Sequence, residues 1–491
     1  VIDLAVSAMT SDDHPDLDAI ETALRASMLE IGTTTLESLL DIIARKHTAE
    51  PATCALGHRP QHAGCRPKTI MTILCRVVLH RDWYHDPVCG CGHAPIDRLL
   101  GIDGTKFSPG LRNMTAYVGA VDCFREGSKH LRHLAGIPVP AKSIERVSQR
   151  VGPRIEAYRR AHTPDSDVRS GSAIAGIETM YVMMDAPGIP VLRSQTHGRK
   201  GKGADGQAKT RDMKLGCVFR QIRLDAEGYP VRDDATTTYV GTCEPAASFG
   251  VRLEHEARVC GLTHVRRVCV IGDGAAWIWN LADEHFPTAT RIIDLYHARE
   301  HYLDVAKLVF TAESRAHTEW TSARKRELDA GNVTAVVNAL GRLTSRSKKA
   351  RKARDTAMQY FWKNADRMRY AEYRANGLFV GSGVVEAGCK SVVGKRLKQS
   401  GVHWTVRAAE NILSLRCGML GQWWDDFWED AKRRDSIYKF VAHPTATPRY
   451  VFSVRVDILQ HLVFSKNGEY YAFGSFRGVH FILSRGLWRD N

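Results

Sequence analysis

Three short runs in this chain each end on an acid: Met180-Tyr-Val-Met-Met-Asp185, Val268-Cys-Val-Ile-Gly-Asp273 and Arg291-Ile-Ile-Asp294. A further acid, Glu386, stands in Gly381-Ser-Gly-Val-Val-Glu386-Ala-Gly-Cys-Lys390, which reads as a loop entering a helix. Carboxylates are hard oxygen donors and suit Mg²⁺ or Mn²⁺. Two such ions roughly 3.5–4 Å apart can activate water and stabilise the leaving oxygen of a phosphodiester, and three carboxylates suffice to hold them. Asp185, Asp273 and Glu386 are the residues expected to do so. One acid at a strand end is ordinarily a turn or cap residue; it is the repetition that points to a site. Asp103, in Gly101-Ile-Asp103-Gly104, precedes the strands and reads as a turn. In Asp294-Leu-Tyr-His297 the acid can cap a helix that carries His297 one turn along.

These residues need a frame. Strands are expected at 178–185, 213–220 and 236–241, then a helical segment near 246–260, then the strands ending at Asp273 and Asp294. This is an α/β pattern of the form β-β-β-α-β-β, and ligands gather at the carboxyl edge of such sheets. The core is expected to span 171–296 and 377–440, split by an all-helical insertion over 297–376. Residues 384–433 read as helical, with Trp404 and the aromatics at 423–428 as packing and Trp320 as a core residue of the insertion or a stacking platform for a flipped base. The basic loop His197-Gly-Arg-Lys-Gly-Lys-Gly203 reads as a solvated hairpin tip or a phosphate contact.

Ahead of the core, residues 1–50 read as helical, 51–110 are rich in Cys and His, and 111–170 are helical again. A break at Gly136-Ile-Pro-Val-Pro140 suggests either a helix-turn-helix or an ordinary helical hairpin. Lys142, Arg146 and Arg150 would make the DNA contacts of the former. A linker is expected at 164–176. Residues 441–491 form an atypical, strand-like tail.

The composition points the same way. There are 69 Lys and Arg against 54 Asp and Glu, a net charge of +15, which favours a polyanionic partner. The densest basic run, Ser345 to Arg354, includes Lys348, Lys349 and Arg351. Lys390, Lys395, Arg396 and Lys398 follow Glu386 and are expected to line a DNA path. No stretch approaches the roughly 18 apolar residues of a membrane helix, and no signal peptide is visible. Twelve scattered cysteines fit a reducing cytoplasm. No residue carries the activating surroundings that a covalent Ser or Tyr recombinase needs.

The order Asp185, Asp273, Asp294-x-x-His297, helical insertion, Glu386 resembles the DDE transposases of bacterial insertion sequences, relatives of the Mutator-like superfamily. Within them it is most similar to the ISKra type. Asp273-Gly-Ala-Ala-Trp-Ile-Trp279, Phe286-Pro287, Asp294-Leu-Tyr-His-Ala298 and Arg367-Met-Arg-Tyr370 carry the resemblance. So do Gly381-Ser-Gly-Val-Val-Glu386, Arg396-Leu-Lys-Gln-Ser-Gly401 and His403-Trp404. It covers roughly residues 50–430.

The resemblance implies an RNase H-like catalytic core with Asp185, Asp273 and Glu386 on Mg²⁺ or Mn²⁺, and Asp294 and His297 beside them. It implies cleavage at transposon ends and transfer of the freed 3′-hydroxyl into target DNA. At least a homodimer on DNA would form, in the cytoplasm at the nucleoid. The first acid is followed by Ala186, where such enzymes usually carry Gly, and the tail after residue 440 has no counterpart. The alternatives are a decayed or domesticated DNA-binding protein and an RNase H-like nuclease that does not join strands. Family members commonly carry a zinc ribbon of two Cys-x-x-Cys pairs ahead of the core. Here Cys54, His58, Cys89 and Cys91 could close a tetrahedral Zn²⁺ site, or the ribbon has lost its metal.

Overall fold

The computed structural model describes residues 16–46, 57–162, 179–199, 201 and 208–435, together with four strands between 452 and 484. Two compact units divide the chain, Val1–Ile437 and Tyr438–Asn491.

The first unit begins with helix α1 (Leu17–Lys46) and an antiparallel sheet of β1 (Gln61–Met71), β2 (Arg76–His85) and β3 (Gly92–His93). Register pairs Ile70 with Val77, Lys68 with Leu79 and Arg66 with Arg81, so these residues share one face. At one end that face is apolar, with Ile70, Val77 and Leu79 buried beside Leu40. Toward the other end it becomes cationic. Lys68 and Arg81 both reach Asp97 of the short helix α2 (Pro95–Leu99), at 2.8 and 2.9 Å. Asp103 lies in a turn, as expected.

Three helices follow: α3 (Pro109–Val121), α4 (Phe124–Ala135) and α5 (Ala141–Arg160). The break at Gly136–Pro140 is present, and Gly136 ends α4 with φ 73°, a conformation glycine adopts without strain. A second break occurs at Asp122 and Cys123, both extended. α5 buries Ile144, Val147, Val151 and Ile155 and presents Lys142, Arg146 and Arg150 outward at four-residue intervals.

The central sheet contains β4 (Thr179–Asp185), β7 (Lys214–Leu224), β8 (Pro230–Arg232), β9 (Thr238–Thr242), β10 (Arg267–Gly272) and β11 (Thr290–Ile293). Between β4 and β7, β5 (Gly188–Pro190) and β6 (Thr210–Asp212) form a separate small ladder. The strand order is β11-β10-β4-β7-β8, with β9 also on β7. β4, β7 and β9 run antiparallel in succession, whereas β10 and β11 run parallel to β4. β4 is buried from Thr179 to Met184, which is why it reads as an unbroken apolar run. Helices α6 (Ala246–Val259) and α7 (Ala276–His285) connect the later strands. Both faces are covered: Gly216 lies under Phe249 and Leu253 of α6, while Gly241, on the opposite face, lies under Leu413.

The insertion comprises α8 (Leu295–Val309), α9 (Arg315–Asp329), α10 (Val333–Gly341), α11 (Lys348–Asn364) and α12 (Tyr370–Ala375). Ser314, Asn332 and Ser347 cap three of them by accepting a backbone N–H three residues on. After it come α13 (Gly383–Gly388), a π-helical segment (Cys389–Gly394), α14 (Lys395–Leu397), α15 (Val406–Leu420) and α16 (Trp424–Asp435). The stretch expected to be one helical run is therefore interrupted, and buried Trp404 fills the first gap by donating to the Leu397 carbonyl at 3.1 Å. α5 crosses α15 at Gly152, where a Cβ would stand 2.6 Å from the Asn411 carbonyl oxygen.

In the second unit, β12 (Phe452–Val456), β13 (Leu459–Lys466), β14 (Glu469–Phe476) and β15 (Val479–Ser484) form an antiparallel sheet in chain order. The expected linker at 164–176 lies outside the described residues.

Candidate metal-binding edge of the central sheet

Strand register brings the three aspartates to one level. β10 runs parallel to β4 with Ile271 opposite Met183, and parallel to β11 with Gly272 opposite Ile293. Extending both registers puts Asp185, Asp273 and Asp294 side by side at the carboxyl ends of three neighbouring strands, about 4.8 Å apart from strand to strand.

Their partners differ. Asp185 Oδ1 accepts from the Ala186 N–H at 2.6 Å and Oδ2 from the Cys389 thiol at 3.2 Å. Burial, with Asp185 alongside, pushes the Cys389 thiol up, so it remains a neutral donor. Because Cys389 follows α13 directly, this bond ties the end of β4 to the helix that carries Glu386. Asp273 Oδ1 accepts from the Ala275 N–H at 2.9 Å. Its carbonyl accepts from Tyr360 of α11 at 3.1 Å. The next residue, Gly274, has φ +96°, and a Cβ there would meet the Tyr360 ring at 2.7 Å. Glycine is thus required on both conformational and steric grounds.

Asp294 is fully buried and holds the edge together. It accepts from the His297 N–H, capping α8, and from the Ser382 N–H. Ser382 Oγ in turn donates to Glu386 Oε1 at 2.9 Å. Asp294 is a positioning residue: it hangs the Gly381–Glu386 segment on the strand end next to Asp273. Glu386 itself is exposed. His297 is half-exposed, with Nδ1 3.4 Å from Glu300. One turn on, His301 stacks on Tyr360 at 3.6 Å. Burial, followed by the neighbouring His297, brings the His301 pKa down to about 4, so this ring is neutral at pH 7.

Sequence reasoning missed Cys389, Ser382, Tyr360 and His301. Only His301, four residues after His297 on one helix, left a spacing signal.

The oxygens at this edge are hard donors, as a Mg²⁺ or Mn²⁺ site requires. Asp273 and Glu386 each have one carboxylate oxygen in a hydrogen bond named above, whereas Asp185 has both. Among the described residues, the group of three whose ligand atoms all lie within 4.8 Å of one another is His58, Asp86 and Cys89, not the carboxylates. A two-ion site does not require that closeness, because ions roughly 3.5–4 Å apart spread their outer ligands.

The His58 group could hold a metal ion. His58 Nδ1 is 2.9 Å from Asp86 Oδ2, and the Cys89 thiol donates to the same oxygen at 3.1 Å. That donation holds the Asp86 carboxyl below the usual carboxylate range. Of the four expected zinc ligands, His58 and Cys89 come together. Cys91 is exposed, directed at the Cys89 carbonyl at 3.9 Å and outside the group, while Cys54 lies outside the described residues. Asp86 takes a place that the sequence reading gave to cysteine.

Of the expected DNA contacts, Lys142, Arg146, Arg150, Lys348, Lys349, Arg351, Lys390, Lys395 and Lys398 are exposed. Lys142 pairs with Glu145 at 2.7 Å. Arg396 is a correction. It is 1% exposed, donates to the Gly119 carbonyl at 3.0 Å, and lies over the Phe124 and Trp404 rings. Burial lowers its pKa to about 10. Its guanidinium satisfies a carbonyl in the last turn of α3 that the helix leaves unpaired, so it has no face for phosphate. Buried Arg416 acts alongside it, donating to the Ala120 carbonyl at 2.5 Å and the Val392 carbonyl at 2.6 Å.

No protein-family model matches the chain, and no curated protein matches it. Among solved structures it is similar to the Drosophila P element transposase strand transfer complex. The TM-score is 0.24 and the identity 11%, over 69% of this chain and 83% of that chain.

Proposed function

We propose that this chain is a DNA transposase that cuts DNA at the ends of a mobile element and joins the freed 3′-hydroxyl to target DNA. The observation that carries the reading is the levelling of Asp185, Asp273 and Asp294 on adjacent strands, with Glu386 suspended from Asp294 through Ser382. Three antiparallel strands, with two more running parallel to the first on its other side, support an RNase H-like core. Asp185, Asp273 and Glu386 would hold Mg²⁺ or Mn²⁺, which when bound activates the attacking oxygen and stabilises the leaving one. Asp294 and Ser382 fix the approach of Glu386. Tyr360 and neutral His301 wall the Asp273 side.

Lys390, Lys395 and Lys398 follow Glu386 and would receive phosphates. Lys348, Lys349 and Arg351 occupy the first turn of α11, where positive charge opposes the helix dipole. A site kept basic against that cost fits phosphate contact. A structural Zn²⁺ on His58, Asp86 and Cys89, with Cys54 as the fourth ligand, completes the reading. Pairing two ends implies at least a dimer on DNA.

Strand transfer from a pre-cut end oligonucleotide into supercoiled plasmid tests joining. Joined product in Mg²⁺ is expected. Cleavage of uncut ends without any joining would reduce the reading to a nuclease.

A further inference from the structure

The cationic end of the β1–β2 face opens into a cavity of about 610 Å³. On one wall stand Lys68, Arg81 and Trp83 of the sheet; on the other stand Lys106 and, from α5, Arg146 and Arg150. That volume falls in the range of roughly 300–1,000 Å³ typical of small-molecule sites.

The sheet wall holds uncompensated positive charge. Lys68 and Arg81, each about nine-tenths buried, share the single carboxylate of Asp97. Arg81 Nε meets Asp97 Oδ1 as an ion pair at 2.9 Å, off the line of a hydrogen bond. Its Nη1 is buried with no hydrogen-bond partner. Two residues along the same face of β2, Trp83 Nε1 is also buried with no hydrogen-bond partner. Buried donors in native proteins are nearly always paired, and an exception is accounted for by strain, a bridging water or a bound group. On the opposite wall Arg150 donates to the Gly104 carbonyl at 3.2 Å, which holds the guanidinium at the rim. Trp83, Phe107 and Val147 add apolar and aromatic surface to the same lining.

We propose that this cavity binds one nucleotide, its phosphate on Arg81, Arg146 and Arg150 and its base along the Trp83 and Phe107 side. Cation and aromatic surface in one pocket match the two halves of a nucleotide, whereas a bare acidic side chain would leave the aromatic half unused. The nucleotide is either free or part of a single strand of DNA. None of the central-sheet acids lines this cavity, so it does not depend on the catalytic reading.

Isothermal titration of the full chain with inorganic phosphate, dAMP and a single-stranded DNA 12-mer tests this. Saturable binding of dAMP, competing with the strand and tighter than phosphate alone, identifies a free-nucleotide site. Saturable binding of the strand without dAMP identifies a nucleotide held within DNA. In either case Arg81→Gln and the rim variant Arg146→Ala should each weaken binding by about tenfold or more. Arg146 is exposed, so its variant reads the site even if Arg81→Gln fails to fold. Asp273→Ala should bind as the parent does, which separates this inference from the catalytic one. Failure of both nucleotide probes to bind, or unchanged binding in the Arg146→Ala and Arg150→Ala variants, overturns the proposal.

Discussion

The edge of the central sheet and the face of the β1–β2 sheet both gather charge, but they handle it in opposite ways. At the central edge, each acid sits where a strand ends, and short local bonds hold it: Asp185 to the adjacent Ala186 N–H, Asp273 to the Ala275 N–H, and Asp294 to the His297 N–H. The chemistry is set by register. On the β1–β2 face, Lys68 and Arg81 crowd one carboxylate, and the cavity beyond is completed by α5, which follows about sixty residues later in the chain. There the chemistry is set by tertiary packing. Charge placed by register ranges from half-buried Asp185 and Asp273 to fully buried Asp294, and exposed Glu386 hangs from it by side-chain bonds that the fold does not need. Charge placed by packing is part of the fold.

The sharpest test of that contrast is Glu386→Gln. Glu386 is exposed and its one described hydrogen bond is to Ser382, so the substitution should leave the unfolding midpoint within error. Loss of a metal-holding carboxylate should still lower cleavage by about 10²-fold or more. A parallel drop in stability would blur the distinction. Arg396→Ala should do the reverse. It removes a buried guanidinium from the Gly119 carbonyl and opens a cavity beside Phe124 and Trp404, at a cost of about 3 kcal/mol in chemical denaturation. DNA affinity per folded molecule should hold; a selective loss of affinity at full stability would restore Arg396 to the DNA path. The smallest effect concerns the His58, Asp86 and Cys89 group. Elemental analysis should find near one zinc per chain, and chelation should lower the melting temperature by a few degrees, about 1 kcal/mol. Zinc-free protein of unchanged stability would leave this cluster a hydrogen-bonded turn.

The strand ends were legible because a buried strand is an unbroken apolar run and an acid stops it. Asp185, Asp273 and Asp294 all stand where that logic put them. The break at Gly136–Pro140 was legible for a similar reason: glycine and proline act on their own backbone. Arg396 was not. As one of four cations in nine residues it fitted a DNA path, and only the fold reveals the α3 carbonyl waiting for it. Cys389 was equally silent, because nothing near it in sequence marks a thiol that will meet Asp185, 204 residues away. Asp86 stood in plain view in Asp86-Pro-Val-Cys89, but a carboxylate among cysteines is the ligand that spacing rules pass over. In the gap after Leu397, Gly401 has φ 74° and the Trp404 backbone pairs with Pro190 and Leu192; the glycine is local, but that pairing is again a tertiary demand.

Asp185, Asp273 and Glu386 are proposed to act together on DNA with a divalent cation. The most direct test is cleavage of supercoiled plasmid carrying the element's ends, with Mg²⁺ or Mn²⁺, comparing the parent chain with Asp273→Ala. Nicked and linear products are expected from the parent; they should require the cation and vanish in the variant, while both proteins bind DNA equally. Cleavage that survives Asp273→Ala, or proceeds equally well in chelator, would contradict it.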